Sequence, residues 1–150
     1  MRVVIQRVSE ASVTVNQSVT GSIERGFLIL LGIEGDDTHD DALWLADKIA
    51  KLRIFSDEQG LMNLALPEVN GKALVISQFT LHAKTKKGTR PSFIKAARPE
   101  TAEPMYDFFC DELGKRIGKK TERGVFGAHM DVSLVNDGPV TLIIDTKNKE

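Results

Sequence analysis

The sequence predicts a mixed α/β fold in one domain, with a strand-rich N-terminus and two main helices. Three observations predict it. Residues 2–33 alternate or run continuously in valine, isoleucine and leucine, as strands do. Two later segments carry apolar residues at helical spacing. The order strands, helix, strand, helix, strands is that of helices covering a sheet, and 150 residues suffice for one domain with one substantial core.

Taken in order, Arg2–Val8 and Ala11–Asn16 alternate and read as two strands, and Ser18–Ile23 as a shorter third. Phe27–Ile33 is a continuous apolar run suited to a strand buried on both faces. A helix begins near Thr38, with acidic residues at its start and Lys48, Lys51 and Arg53 at its end, which complements the helix dipole. Ala42, Leu45, Ala46, Ile49 and Leu52 share one of its faces. Asp57–Gly60 and Asn70-Gly71 read as turns, and Ala73–Phe79 as another buried strand. His82–Ala97 has no usable periodicity and reads as a long functional loop. A second helix follows Pro99, with Met105, Phe108, Phe109, Leu113 and Ile117 as its core stripe and Cys110 as inert packing. Met130–Asn136 and Val140–Asp145 read as two strands joined tightly through Asp137-Gly138-Pro139.

Hydrophobic content of 41% and charged content of 27% set disordered and fibrous classes aside. No stretch approaches the roughly 18 apolar residues of a membrane span, and Gln6 and Arg7 interrupt the N-terminal apolar run too early for a signal peptide. A single cysteine, Cys110, forbids an internal disulfide and suits a reducing, cytoplasmic setting. The net charge of −1 conceals an uneven distribution. Asp36, Asp37, Asp40 and Asp41 crowd one stretch, whereas Lys84, Lys86, Lys87, Arg90, Lys95 and Arg98 have no acidic residue among them. A second basic run is Lys115, Arg116, Lys119, Lys120 and Arg123. Such runs either bind phosphates or form an ordinary solvated surface.

The familiar catalytic signatures are missing. His39, His82 and His129 are isolated, and no pair stands at the i, i+4 spacing of a zinc helix. There is neither a Gly-x-Ser-x-Gly elbow nor a phosphate-binding P-loop, so no metal, cofactor or conventional triad is expected. Two segments remain. Ser77-Gln78-Phe79-Thr80-Leu81 lies where a buried strand runs out into the basic loop, and its polar residues either line a site or satisfy a strand terminus. Asn136-Asp137-Gly138-Pro139-Val140-Thr141 is either a hairpin turn or a close approach to a ligand, since glycine permits positive φ and proline fixes the backbone.

These segments carry a resemblance. Met1–Val8, Leu52–Phe55, Ser77–Leu81, Gly88–Phe93, Gly124–Ala128 and Asn136–Thr141 resemble the D-aminoacyl-tRNA deacylase family, in order and across nearly the whole chain. The resemblance implies a layered β-β-α sandwich and hydrolysis of the ester between a D-amino acid and tRNA, with removal of glycine from mischarged tRNA as a companion activity. It implies a homodimer with its active site at the subunit interface. Ser77, Gln78, Phe79 and Thr80 are then the catalytic segment, with backbone N–H groups around Gln78 and Phe79 as an oxyanion hole. Gly138 and Pro139, joined by a cis bond, select chirality from the partner subunit. Arg7 and Asn136 support that step, and Lys84, Lys86, Lys87 and Arg90 meet tRNA. Thr80 either attacks as a nucleophile or positions the substrate while the neighbouring ribose hydroxyl activates water. The second is favoured, because Thr80 has no adjacent base in sequence. A non-catalytic RNA-binding module and an editing deacylase for an L-amino acid are the alternatives.

Overall fold

The computed structural model describes every residue, Met1–Glu150. Strand β1 (Arg2–Val15) is the spine. Along one edge it meets β3 (Gly26–Gly32) and then β2 (Ser18–Ile23), both antiparallel, and along the other it meets β8 (Asp131–Asp145). Beyond β3 the sheet continues in parallel through β6 (Lys72–Ser77) and β7 (Glu122–Arg123). The β1–β2 turn at Asn16-Gln17 takes positive φ at both residues, matching the twist of an antiparallel pair. A small hairpin, β4 (Phe55–Ser56) and β5 (Met62–Leu64), turns at Asp57, whose carboxylate accepts the Gln59 and Leu61 N–H groups.

β1 serves two cores because irregular pairing on either side of Val8 switches the face that its odd-numbered residues take. Met1, Val3 and Ile5 join Phe27, Ile29, Leu31, Ala73 and Val75 beneath the helices. Val8, Ala11 and Val13 join Ile23, Leu28, Leu74 and Ile76 in a smaller cluster on the opposite face, closed by Met130, Val132 and Leu134. The run Phe27–Leu31 is buried on both faces because it serves both cores. Helix α1 (His39–Ala50) opens with a reciprocal capping box between Thr38 and Asp41. Helix α2 (Pro99–Ile117) starts on a proline, where a missing N–H costs nothing, and stops at Gly118. Layers of sheet, sheet and helix result, as expected. No helix is long and apolar enough to cross a membrane.

Three expectations are corrected. The segments read as separate strands at Arg2–Val8 and Ala11–Asn16 form the single strand β1, because exposed Ser9-Glu10 is absorbed by irregular pairing rather than a turn. Similarly, Met130–Asn136 and Val140–Asp145 do not pair with each other as a hairpin. Both halves lie antiparallel on β1, which is long enough to template the pair. Gln6 faces Thr141 and Val8 faces Asn136, so the residues between them on β8 bulge out as a pouch. Third, the strand expected over Ala73–Phe79 ends at Ser77 and gives way to a 3-10 turn over Phe79–His82. Leu52 lies beyond the end of α1 yet still packs on the main core.

Candidate active site

The site grows from the end of β6. Val75 and Ile76 are buried, and the Val75 carbonyl accepts from the Tyr106 hydroxyl at 2.6 Å, which ties α2 to the strand. Burial pushes the Tyr106 phenol far above its ordinary pKa, so it stays a donor. One step past the strand the Gln78 N–H donates to the Leu31 carbonyl at 2.8 Å, and the chain then tightens into the 3-10 turn. Arg2 Nη1 holds that turn by donating to the Leu81 carbonyl at 2.8 Å.

Beside the turn opens a mostly apolar cavity of about 590 Å³. Ser77, Gln78 and Phe79 form one wall. Ala96–Pro99 and Ala102, at the start of α2, form a second, and Phe126–Met130 a third. Thr80 lies outside the lining, exposed, with its Oγ1 accepting from Gln78 Nε2. Phe79 meets Phe93 edge-on at 5.1 Å, and both rings are open to solvent. No carboxylate lines the cavity, and His129 on its rim is almost fully exposed.

Two expected oxyanion donors fare differently. The Gln78 N–H is committed to the Leu31 carbonyl, because it continues the β3–β6 ladder by one residue. Phe79 is the first residue of the turn, where the chain has left the ladder. The second and third walls escaped sequence reasoning. Gly124–Ala128 had been noted only as part of the resemblance, and nothing in composition or spacing marks His129, Met130 or Ala96–Pro99 as pocket residues.

Asn136, Gly138, Pro139 and Arg7 form a separate unit. The Gly138-Pro139 bond is cis, and Gly138 has φ of 142°, a region open to glycine. Asn136 spans the pouch, its Oδ1 accepting the Val140 N–H at 2.9 Å and its Nδ2 donating to Thr141 Oγ1 at 3.1 Å. Arg7, only 8% exposed, donates to the Asp137 carbonyl at 3.0 Å and to the Ile54 carbonyl at 2.7 Å. It therefore buttresses the pouch from inside. Within one chain this unit does not line the cavity, and Gly138 and Pro139 point to solvent.

The two basic runs also separate. Lys84, Lys86, Lys87, Arg90, Lys95 and Arg98 are all exposed, and none makes an ion pair. In the second run Lys115 and Arg116 pair with Glu112, Arg123 pairs with Asp111, and Lys119 donates to the Asn70 carbonyl. The first run is a free cationic surface, of which Arg98 lines the cavity; the second is largely neutralised. Cys110 is buried and its thiol is pushed up to about 12, mainly by burial, so it is inert packing as expected.

Comparison with known proteins fits this geometry. The family model for D-Tyr-tRNA(Tyr) deacylase matches residues 4–145. Proteins named D-aminoacyl-tRNA deacylase from Flavobacterium psychrophilum and Bacteroides fragilis are 56% and 58% identical over 150 residues, covering all of each chain. A solved structure of a c-Myc DNA unwinding element binding protein is 39% identical, with a TM-score of 0.90 over 97% of this chain and 98% of that one. A probable eukaryotic D-amino acid tRNA deacylase, 17% identical, shares the fold with a TM-score of 0.83 over 95% and 97% of the two chains. A family model that matches residues 4–145, with relatives 56% and 58% identical over the whole of each chain, means that the chain belongs to the D-Tyr-tRNA(Tyr) deacylase family.

Proposed function

We propose that this chain hydrolyses the ester joining a D-amino acid to the terminal ribose of tRNA, in the cytoplasm, as a homodimer whose active site spans the subunit interface. The observation that carries this is the apolar cavity at the end of β6, walled by Ser77, Gln78 and Phe79, with the unpaired Arg98 in its lining. An ester of an α-amino acid is already activated, so orientation and stabilisation of the tetrahedral oxyanion account for most of what the protein must supply. We assign the main-chain N–H of Phe79 to the oxyanion. With no carboxylate in the cavity, the neighbouring ribose hydroxyl activates the attacking water, and Thr80 positions the substrate through Gln78.

Chirality is read by the partner's pouch. Gly138 and Pro139 stand clear of their own cavity and reach that of the second subunit, where main-chain carbonyls hold the substrate's α-amino group. An L side chain is then driven against backbone, whereas a D side chain points away, so selection works by exclusion. Glycine has no side chain to exclude and is a second substrate when it sits on the wrong tRNA. Lys84, Lys86, Lys87 and Arg90 take the phosphates of the acceptor stem. A non-catalytic RNA-binding module would interleave stacking aromatics with its cations, and only Phe93 does so.

Deacylation of D- and L-tyrosyl-tRNA by the purified protein tests the reading. Rapid cleavage of the D form alone is expected; equal rates, or none, would sink it. A chain that sediments as a monomer while still discriminating would remove the shared-site half of the proposal.

A further inference from the structure

One buried titratable side chain has neither a part in catalysis nor a hydrogen-bond partner. His82 closes the Phe79–His82 turn with its side chain 1% exposed, and neither ring nitrogen has a hydrogen-bond partner. Buried polar groups nearly always find partners, so an orphaned imidazole calls for an explanation. One side of the ring is closed by Gly32, where an added Cβ would come within 3.0 Å of both Cδ2 and Nε2. On the other side Nδ1 lies 3.2 Å from Oε1 of Glu34, a carboxylate itself only 17% exposed. The distance is that of a hydrogen bond, while the alignment falls short of one.

The two residues stand at opposite ends of the basic loop. His82 is where the loop departs. Glu34 is where it returns, because Glu34 bridges Ala96 and the Ala97 N–H donates to the Ile33 carbonyl at 2.9 Å. Between them residues 83–95 carry Lys84, Lys86, Lys87, Arg90 and Lys95, fastened by the Lys84–Ser92 main-chain pair and the Phe79–Phe93 contact. The catalytic turn has anchors of its own, from Arg2 to Leu81 and from Gln78 to Leu31.

We propose that His82 is a positioning residue whose Nδ1–H, after a small reorientation of the Glu34 carboxylate, donates to it, pinning the departing end of the basic loop to its returning end and so setting the loop for tRNA. This rests on the loop being the phosphate-binding surface. The neutral imidazole suffices: Nδ1 is the donor, Nε2 stays against Gly32, and no proton is transferred.

The test uses the full-length chain and D-tyrosyl-tRNA. His82→Leu should raise KM about tenfold and leave kcat within about twofold, the pattern of lost uniform binding. Glu34→Ala should reproduce the defect, and His82→Asn, whose amide nitrogen can replace Nδ1, should rescue it. Imidazole ¹⁵N NMR reads the link without tRNA: Nδ1 of His82 should be protonated, with a resonance that shifts in Glu34→Ala. Unchanged KM in both His82→Leu and Glu34→Ala overturns the proposal, as does a fall in kcat at constant KM or an unprotonated Nδ1. Should His82→Leu fail to fold, Glu34→Ala and the NMR signature decide. If Lys86→Ala leaves KM unchanged while the Nδ1 signature is present, the phosphate-binding reading has failed and the His82–Glu34 bond stands.

Discussion

Thr80 and Arg7 show how single side chains divide the labour. The Thr80 hydroxyl is exposed, accepts from Gln78 Nε2, and has no carboxylate or histidine bonded to it. A nucleophilic role needs an activating base in contact. Thr80→Val is therefore expected to keep single-turnover cleavage within about tenfold, a loss suited to positioning; abolished chemistry with intact binding would restore the nucleophile. Arg7 satisfies two carbonyls from a nearly buried position, on the pouch and on the chain entering the β4–β5 hairpin. Arg7→Ala leaves both without a partner and should lower stability by about 2 kcal/mol in urea unfolding. The resemblance implies a supporting role for Arg7, and its guanidinium bonds the Asp137 and Ile54 carbonyls. The resemblance gave no hint of His82, because a histidine's burial depends on the fold around it and not on its neighbours in sequence.

At the level of elements, α1 ties stability to pH. Burial alone would raise the Asp41 carboxyl. Hydrogen bonds from the Thr38 main chain and side chain outweigh it, with help from Thr146 and the Lys147 charge, and lower it from 3.8 to about 2. A carboxyl lowered in the folded state adds stability above its unfolded pKa and loses it as pH falls through the folded one. Urea midpoints should therefore drop between pH 3.8 and about 2. Thr38→Ala should cost about 1 kcal/mol at neutral pH and flatten that part of the profile. The start of α1 was legible in the sequence, because a capping residue and first-turn acids announce it locally. So was the double burial of β3, written as an unbroken apolar run. The continuity of β1 and β8 was not legible: Ser9-Glu10 and Asp137–Pro139 have the composition of turns, and only pairing along the full length of the partner strand overrides it. Nor were two of the three cavity walls, which apart from Arg98 and His129 are apolar or small residues brought together from distant stretches.

For the whole molecule, net charge is a poor guide and its pairing a good one. The chain is almost neutral, yet its two basic runs differ, the first free on the loop after β6 and the second matched in large part by carboxylates on α2. Counterion release makes tRNA affinity fall with salt in proportion to the phosphates neutralised. Lys86→Ala should reduce the slope of log affinity against log salt by about 1, and Lys115→Ala should leave it unchanged. Equal slopes for the two variants, measured by filter binding, would move the tRNA surface elsewhere.

The pouch in β8 has a consequence of another kind. Each half of that strand is registered on β1 independently, and the residues between Asn136 and Thr141 stand off the ladder, held by Asn136 and Arg7. Inserting or deleting a residue elsewhere in β8 would turn every side chain beyond it to the wrong face of the sheet. A change of length inside the pouch is absorbed where it occurs. Mutation can thus reshape the part of the molecule proposed to judge handedness while the scaffold that presents it stays in register.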